Sequence, residues 1–310
     1  MIGNLCTSVV EASATAGNAP FVLPRAGRLS VCALTIAAVV LLLASCGTAP
    51  EGSKTGGARV VTYNVGDVTG FPPSTKSVME VLDTARWADV YVFQEVWDHA
   101  HLSRLHGVLE ATSKLDYEVS YSRVMRLAVF SREPLRGCRA YHPGDIRGSY
   151  GTLLCRTSVS GNELAVAGLH LPPLEKERDT AGDVRMGIGS TARTLFSETF
   201  LSNTRSRYIR RIHRWLSTWE TEALVVAGDF NTVPFTKTIR FMNRHYDDAL
   251  LGSGDYLTGT YRRVGGAILP RVDFIFHSTA LSVVEARVIQ ERAGDHYPVY
   301  AELVFSAATR

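Results

Sequence analysis

The stretch "ALVVAGDFNTVP", residues 223–234, joins a short apolar run to a cluster of polar and turn residues. The apolar run 224–227 is typical of a strand covered on both faces, and Pro234 prevents its regular continuation. In an extended backbone Asp229 and Asn231 point to the same side. The pattern fits an ordinary strand-ending turn. It also fits an oxygen-rich corner at the carboxyl end of a strand, where α/β proteins bind ligands.

Five further apolar runs carry an acid, an amide or an imidazole within them or at one end. They are "VVTYNV" with Asn64, "VYVFQEV" with Gln94 and Glu95, "AVAGLHL" with His170, "RVDFIF" with Asp273, and "GDHYPVYAEL" with Asp295 and His296. Each alone has an ordinary structural explanation, such as a satisfied core histidine or an edge amide. Together they are too many to bury separately, because an unpaired buried polar group costs about 1–3 kcal/mol. We therefore expect them to converge on one another, on water or on a cation.

Strand-like and helix-like segments alternate from Arg59 onward without a break in composition, which predicts one domain of layered α/β architecture. The predicted strands are residues 59–65, 88–96, 126–131, 152–159, 163–171, 223–230, 271–276 and 299–305. The predicted helices are residues 74–86, 100–113 and 204–220. The last helix has apolar residues every three or four positions, from Ile209 to Trp219, which indicates one face packed on the core.

The motifs "TYNV", "FQEV", "GLHL", "GDFN", "RVDFIF" and "GDHYPV" stand in the order found in the endonuclease/exonuclease/phosphatase superfamily. The chain resembles this superfamily over residues 59–305. The resemblance implies an α/β fold, a four-layer sandwich of two mixed β-sheets packed face to face with helices on the outside. It also implies an enzyme that hydrolyses phosphodiester or phosphomonoester bonds with Mg²⁺ or Mn²⁺ as cofactor.

The resemblance assigns roles to individual residues. Glu95 corresponds to the principal ligand of Mg²⁺ or Mn²⁺, supported by Asn64 and Asp295. Carboxylate and amide oxygens are the hard ligands that these ions prefer. His296 corresponds to the catalytic histidine, and Asp273 to the carboxylate that orients its imidazole.

Three further residues are implied to contact the substrate or the attacking water. Asp229 and Asn231 correspond to residues that position the water and the phosphate, and His170 to one that contacts the scissile phosphate. Gln94 and Thr260 are expected to support these groups from behind. The chain has no serine or cysteine nucleophile motif, which favours direct attack by water. A one-metal and a two-metal mechanism both remain open, as does the identity of the general base.

The amino-terminal region predicts export rather than a part of the fold. Arg25 and Arg28 precede an apolar stretch of about 16 residues, which is typical of a signal peptide. A membrane-spanning helix needs about 20 residues, although an uncleaved anchor remains possible. The stretch ends in "LASC", residues 43–46, which resembles the lipobox of bacterial lipoproteins and implies cleavage before an acylated Cys46.

These features predict three segments and a location. Residues 1–45 are a signal peptide, residues 46–57 are the lipidated cysteine and a flexible tether, and residues 58–307 are the catalytic domain. The mature protein is then lipid-anchored at the extracytoplasmic face of the cell membrane or envelope. We expect it to be a monomer whose partners are the membrane and a phosphate-ester substrate.

Charge and composition narrow the substrate only slightly. The chain has 310 residues, 45% of them hydrophobic, and a net charge of +3, so it has no strong basic field for tight nucleic-acid binding. A phospholipid-type or small phosphate ester is therefore favoured. The alternatives are an exported endonuclease or exonuclease acting on DNA, and a non-catalytic binding lipoprotein.

Two features leave alternatives open at this point. In an oxidising compartment Cys138 and Cys155 can form a bridge between adjacent strands, or they can be two buried thiols. Residues 172–203 directly follow the run that ends at His170 and are longer than a usual connection. They predict a substrate-side flap, with an amphipathic helix packed on the core and plain disorder as alternatives.

Overall fold

A computed structural model describes residues 57–66, 75–84, 88–144, 148–173, 199, 204–262, 268–269 and 271–306. These residues belong to one compact unit, Thr55–Arg310. The predicted signal peptide, Cys46, the tether before residue 57 and nearly all of the predicted flap lie outside the described residues. Within the described ranges, no helix has both the length and the apolar character needed to cross a membrane.

The described chain forms strands and helices that alternate along the sequence. The strands are β1 (Gly57–Asn64), β2 (Val90–Gln94), β3 (Glu118–Ser122), β4 (Leu127–Ser131), β5 (Arg136–Tyr141), β6 (Gly151–Val159), β7 (Asn162–His170), β8 (Leu224–Asp229), β9 (Asp247–Asp248), β10 (Tyr261–Arg262), β11 (Ile268–Leu269), β12 (Asp273–His277), β13 (Leu281–Val288) and β14 (Val299–Phe305). The helices are α1 (Thr75–Thr84), α2 (His99–Ser113), α3 (Thr204–Leu216) and α4 (Lys237–Met242).

Two six-stranded sheets contain most of these strands. The first has the order β13-β14-β1-β2-β4-β3, and the second has the order β5-β6-β7-β8-β12-β9. Each sheet is mixed, because β1 is parallel to β2 and β7 is parallel to β8, whereas the other neighbours are antiparallel. Strands β10 and β11 form a separate antiparallel pair.

The core lies in three apolar layers, and strand β2 shows why. Val90 and Val92 face the second sheet, while Tyr91 and Phe93 face helices α1 and α2. This alternation follows from the period of two along a strand that is buried on both faces. Helices α3 and α4 cover the outer face of the second sheet in the same way. The fold is therefore the four-layer sandwich that the resemblance implies, and the prediction is confirmed.

The predicted elements agree with the observed ones within a few residues at each end. Helix α3 ends at Leu216, four residues earlier than predicted, and Trp219 packs on the core from beyond the helix. The elements that were not predicted are helix α4 and strands β3, β5, β9, β10, β11 and β13. Four consecutive residues of strand β13 are exposed, so it lacks the apolar pattern that marks the central strands.

The two cysteines of the folded region form a disulfide. Cys138 of β5 and Cys155 of β6 are joined, with a Cα–Cα distance of 4.2 Å. Strands β5 and β6 are antiparallel neighbours, so the bond links an edge strand to the next strand of its sheet. Of the two alternatives left open above, the structure contains the bridge between adjacent strands.

Candidate active site

The ends of the parallel strand pairs place polar residues together. In the first sheet, Asn64 at the end of β1 lies beside Gln94 at the end of β2. In the second sheet, His170 at the end of β7 lies beside Asp229 at the end of β8, and Asp273 at the start of β12 lies on the other side of Asp229. Both sheets thus present their polar residues at one edge of the sandwich.

Asn64 connects the two sheets directly. Its Nδ2 donates hydrogen bonds to Glu95 Oε1 and to Asp229 Oδ2, both at 3.2 Å. Its Oδ1 accepts a hydrogen bond from the Gly66 backbone N–H at 3.0 Å. The amide is buried and both of its N–H donors are used, so it fixes the distance between the carboxylates of the two sheets, while Oδ1 keeps one lone pair for a further partner.

Asp273 and His296 form a buried pair. His296 Nδ1 and Asp273 Oδ2 are 2.9 Å apart, which leaves His296 Nε2 at 3.9 Å from Asp229 Oδ2. The buried Thr260 hydroxyl accepts hydrogen bonds from the backbone N–H groups of residues 272 and 273 and so fixes the start of β12. The ring of Tyr261 lies 4.9 Å from the imidazole of His296. Thr260 therefore supports the pair from behind.

Asp229 is held by the residue two positions after it. The Asn231 backbone N–H donates to Asp229 Oδ1 at 2.7 Å, and Asn231 Nδ2 donates to Asp229 Oδ2 at 3.0 Å. Asn231 Nδ2 also donates to the Leu171 carbonyl at 2.9 Å, which ties it to the end of β7. Gly228 permits this approach, because a Cβ there would lie 1.9 Å from the Leu169 carbonyl oxygen. The turn is thus built to fix the carboxylate.

Glu95 lies at the open side of the edge. Its backbone has φ of 59°, and its side chain is 29% exposed, whereas that of Asp229 is 1% exposed. Gly66 packs against it so closely that a Cβ at Gly66 would lie 2.0 Å from Glu95 Oε2. A Cβ at Gly294 would lie 2.2 Å from the Gly66 carbonyl oxygen. Two glycine-containing loops therefore meet beside this carboxylate.

His170 lies between the two acidic groups. Its Nε2 is 3.7 Å from Asp229 Oδ2 and 4.0 Å from Glu95 Oε1. The ring of Tyr150 packs edge-on against it, with 5.2 Å between ring centroids. The structure thus brings together the amide, the carboxylates and both imidazoles. These residues are Asn64, Glu95, His170, Asp229, Asn231, Asp273 and His296.

Comparison with known proteins assigns this arrangement to a family. The sequence profile of the endonuclease/exonuclease/phosphatase family matches residues 61–296, a span that includes all the residues gathered at this edge. The chain belongs to the endonuclease/exonuclease/phosphatase family. A search of curated proteins gave no significant match.

Solved structures agree with this family assignment at the level of the fold. The endonuclease/exonuclease/phosphatase of Beutenbergia cavernae has a TM-score of 0.55 and 19% identity over 81% of this chain and 72% of its own. D. rerio TDP2, solved with a single-strand DNA product, has a TM-score of 0.58 and 12% identity over 80% of this chain and 98% of its own. Beta toxin 275-280 from Staphylococcus aureus has a TM-score of 0.51 and 16% identity over 79% of this chain and 99% of its own.

Burial and neighbouring charges shift the pKa values of three titratable groups of the site. Burial raises the pKa of Asp229 to about 8, and the negative charges of Asp273 and Glu95 act in the same direction. Burial lowers the pKa of His170 to about 4. For His296, burial alone would lower the pKa, but the carboxylate of Asp273 and its hydrogen bond outweigh burial and raise the pKa to about 10. Near neutral pH, His296 is therefore an imidazolium and His170 is neutral.

The donor set fits a hard divalent cation. Asp273 Oδ1 and His170 Nδ1 are buried and have no hydrogen-bond partner among the described residues. A carboxylate oxygen of Asp229 and one of Asp273 lie within 4.8 Å of each other, whereas the imidazolium of His296, paired with Asp273, has no free lone pair for a metal. Burial is the main cause of the raised pKa of Asp229, and a cation beside Glu95 and Asp229 would lower that pKa by favouring the ionised carboxylate. Oxygen ligands in such a pocket suit Mg²⁺ or Mn²⁺.

Gln94 and Asp295 are the remaining predicted site residues in the described part of the chain. Gln94 Nε2 donates to the Thr62 hydroxyl at 3.0 Å and to the Val92 carbonyl at 3.1 Å, so its hydrogen bonds stay within the first sheet. Asp295 is half-buried beside His296, and its negative charge adds to the causes that raise the pKa of His296.

Three neighbouring residues were not among the predicted site residues. Tyr150 packs on His170. The guanidinium carbon of Arg126 lies 3.8 Å from the centroid of the Trp97 ring, two positions after Glu95. These residues come from separate turns, so no periodic pattern or motif marks them as neighbours. Of the three, only Trp97 could have been found from the sequence, because it directly follows the "FQEV" motif.

Proposed function

We propose that this protein is a metal-dependent phosphoesterase that hydrolyses phosphodiester or phosphomonoester bonds by direct attack of water. The observation that carries the proposal is the buried Asp273–His296 pair facing Asp229 at an edge where Glu95 stays open to solvent. A phosphoryl group entering from the Glu95 side would meet a cationic imidazole and, with a cation bound beside Glu95 to favour the ionised form of Asp229, a carboxylate able to accept a proton. Membership of the endonuclease/exonuclease/phosphatase family supports the same chemistry.

The chain's own groups have complementary tasks in this proposal. Asp229 accepts a proton from the attacking water, whose oxygen forms the new bond to phosphorus as the bond to the leaving oxygen breaks. Asn231 and Asn64 hold that carboxylate in place. The imidazolium of His296 stabilises the charge on the phosphoryl oxygens. Glu95, with Asn64 and Asp295 as further ligands, would hold Mg²⁺ or Mn²⁺, which would supply Lewis-acid stabilisation of the charge that develops in the reaction.

The substrate we favour is a phospholipid-type or small phosphate ester. The net charge of +3 and the proposed membrane anchor support it. DNA is the alternative substrate. D. rerio TDP2, which shares the fold, has been solved with a single-strand DNA product.

A direct assay tests the proposal and separates its alternatives. The purified full-length chain is assayed on bis-p-nitrophenyl phosphate, on phospholipid vesicles and on supercoiled plasmid, with Mg²⁺ and with EDTA. We expect Mg²⁺-dependent hydrolysis of the small ester or the lipid. Plasmid nicking that is much faster than both would favour the nuclease. No hydrolysis of any ester would favour a non-catalytic binding lipoprotein.

We further propose that the protein is exported and anchored by lipid at Cys46, with residues 1–45 removed, residues 46–57 as a tether and residues 58–307 as the catalytic domain. The Cys138–Cys155 disulfide supports export, since such bonds persist in oxidising compartments. Cys46→Ser should abolish incorporation of labelled palmitate and stop cleavage at this site. Equal labelling of mutant and wild type would contradict lipidation at Cys46.

A further inference from the structure

A tight turn beside the site carries an arginine in an unfavourable backbone conformation. Arg126 follows the exposed residues Arg123 and Val124 in the turn between β3 and β4, and its φ is 51°. This left-handed region favours glycine or asparagine and is uncommon for other residues. The Arg126 carbonyl accepts a hydrogen bond from the Val96 backbone N–H at 3.0 Å. The turn is therefore fastened to the residue that directly follows Glu95.

The Arg126 guanidinium has an aromatic partner and no acidic one. It lies 3.8 Å from the ring centroid of Trp97, at the distance of a cation–π contact. Within the part of the chain that the structure describes, no carboxylate forms an ion pair with it. Arg132 and Arg271, by contrast, are paired with Asp89 and Asp248. The charge of Arg126 is thus held in place but not neutralised.

The turn borders the same pocket as the candidate site. Met125 packs against the first residue of β6, because a Cβ at Gly151 would lie 2.7 Å from the Met125 sulfur. The neighbouring Tyr150 packs on His170. Burial lowers the pKa of His170, and the positive charge of Arg126 adds to that effect. Burial and Glu95 raise the pKa of Tyr150, and Arg126 opposes them. Its field therefore acts on two groups of the pocket.

The positive charge of the Arg126 guanidinium would favour binding of an anionic phosphoryl group beside the carboxyl groups of the site. Glu95, Asp229 and Asp273 gather three carboxyl groups where an anionic phosphoryl group must enter, and His296 is already paired with Asp273. An unpaired guanidinium offers several N–H donors in a planar fork that matches two phosphoryl oxygens. Stacking on an indole keeps that fork in one orientation and leaves its edge free to donate.

We infer that Arg126 is a substrate-binding residue that contacts the non-bridging oxygens of the phosphoryl group, with Trp97 holding the plane of the guanidinium. This inference rests on the proposed phosphoesterase function. A merely structural role for the contact would require only the Arg126–Trp97 packing and no substrate. The two roles differ in what Arg126→Gly does, since glycine suits a φ of 51° and removes the guanidinium without straining the turn.

The test compares Arg126→Gly with Arg123→Gly, a matched loss of one exposed arginine in the same turn. Both variants of the full-length chain are assayed on bis-p-nitrophenyl phosphate at saturating Mg²⁺. We expect Arg126→Gly to raise KM or lower kcat/KM at least about tenfold, with no fall in Tm, and Arg123→Gly to match wild type. Guanidinium chloride at millimolar concentration should restore activity to Arg126→Gly alone.

A second measurement does not depend on turnover. Inorganic phosphate is titrated by calorimetry in the presence of Mg²⁺, and wild type and Arg123→Gly should bind it at least about tenfold more tightly than Arg126→Gly. Phosphate binding that depends on Arg126 in a protein that hydrolyses no ester would uphold the inference and defeat the proposed function. An active Arg126→Gly enzyme with the KM and phosphate affinity of wild type would overturn the inference and leave the proposed function standing. Neither hydrolysis nor phosphate binding by wild type would overturn both.

Discussion

The two sheets contribute halves of the site that differ in their access to solvent. The first sheet ends in Glu95, whose side chain is 29% exposed, and the second contributes Asp229 and Asp273, each 1% exposed. An exposed carboxylate can exchange a hydrated cation with solvent at little cost. A buried carboxylate has its proton affinity set by desolvation and by its neighbours. We propose accordingly that the open half, which contains Glu95, binds the cation and that the closed half, which contains Asp229 and Asp273, handles protons.

Each half also contains one residue in the left-handed backbone region. Glu95 has φ of 59° and Asn231 has φ of 49°. Both directly follow or nearly follow the end of a parallel strand, and both aim a polar side chain into the site. Asparagine tolerates this region, whereas for glutamate it costs of order 1–3 kcal/mol and persists only where the surrounding structure holds it. The strain therefore falls mainly on Glu95, in the open half.

The largest effect should come from breaking the closed half. Asp273→Asn and His296→Ala should each lower kcat on bis-p-nitrophenyl phosphate by about 10²–10⁴-fold. The double variant should lose little more than the worse single variant, because paired groups act as a unit. Circular dichroism should show that all three proteins are folded. Losses that multiply in the double variant would mean that the 2.9 Å contact is not a working pair.

Breaking the open half should change metal dependence first. Glu95→Ala should raise the Mg²⁺ concentration for half-maximal activity at least about 10–100-fold. Loss of a residue that only hydrogen-bonds a metal ligand already lowers metal affinity by about that factor. Glu163→Ala is the matched control, because Glu163 is an exposed residue near the opposite end of β7 from His170. Normal turnover of Glu95→Ala at limiting Mg²⁺ would show that the cation binds elsewhere.

The sequence predicted these halves because polar residues interrupt apolar runs. Asn64, Glu95, His170, Asp229 and Asp273 each follow, end or begin a central strand. Their convergence follows from the parallel pairs β1–β2 and β7–β8, from the antiparallel pairing of β12 with β8, and from the contact between the two sheets. The central strands were predicted for the same reason, since they are apolar on both faces. The order of the motifs then added the family's four-layer arrangement.

What the sequence missed depends on contacts without a pattern. Arg126, in the turn between β3 and β4, contacts Trp97, which follows β2. Its left-handed backbone conformation could not be predicted from the sequence, because arginine normally avoids that conformation. Edge strand β5 is mostly exposed and held by the Cys138–Cys155 bond, so it has little apolar signal. Sequence spacing alone left that bond undecided.

A smaller change should sharpen the role of the glycine loops at Glu95. Gly66→Ala places a Cβ 2.0 Å from Glu95 Oε2, so the carboxylate must move while the core stays intact. We expect the Mg²⁺ requirement to rise about tenfold. Gly107→Ala in helix α2 is the control: its Cβ meets nothing within 4 Å, so it should leave activity unchanged and stabilise slightly. Equal Mg²⁺ titrations for both variants would refute a positioning role for Gly66.

The smallest expected effect is a pH-dependent shift in stability. Asp229 has a folded pKa of about 8, above its unfolded value, and His296 has a folded pKa of about 10, also above its unfolded value. Between the unfolded and folded pKa of each group, the folded state binds more protons, so stability falls as pH rises. His170, with a folded pKa of about 4, acts in the opposite direction below its unfolded value. The effects of Asp229 and His170 therefore oppose each other in acid, and Asp229 and His296 act together above about pH 6.5.

In EDTA, Tm should consequently fall by a few degrees between about pH 6.5 and 8, the window where both groups act together. Excess Mg²⁺ should reduce this fall, because a cation beside Glu95 favours the ionised form of Asp229. The gain in Tm on adding Mg²⁺ should therefore be larger at pH 8 than at pH 6. His296→Ala should keep the part of the slope that belongs to Asp229. If Mg²⁺ raises Tm by the same amount at both pH values, the cation beside Glu95 does not affect the protonation of Asp229.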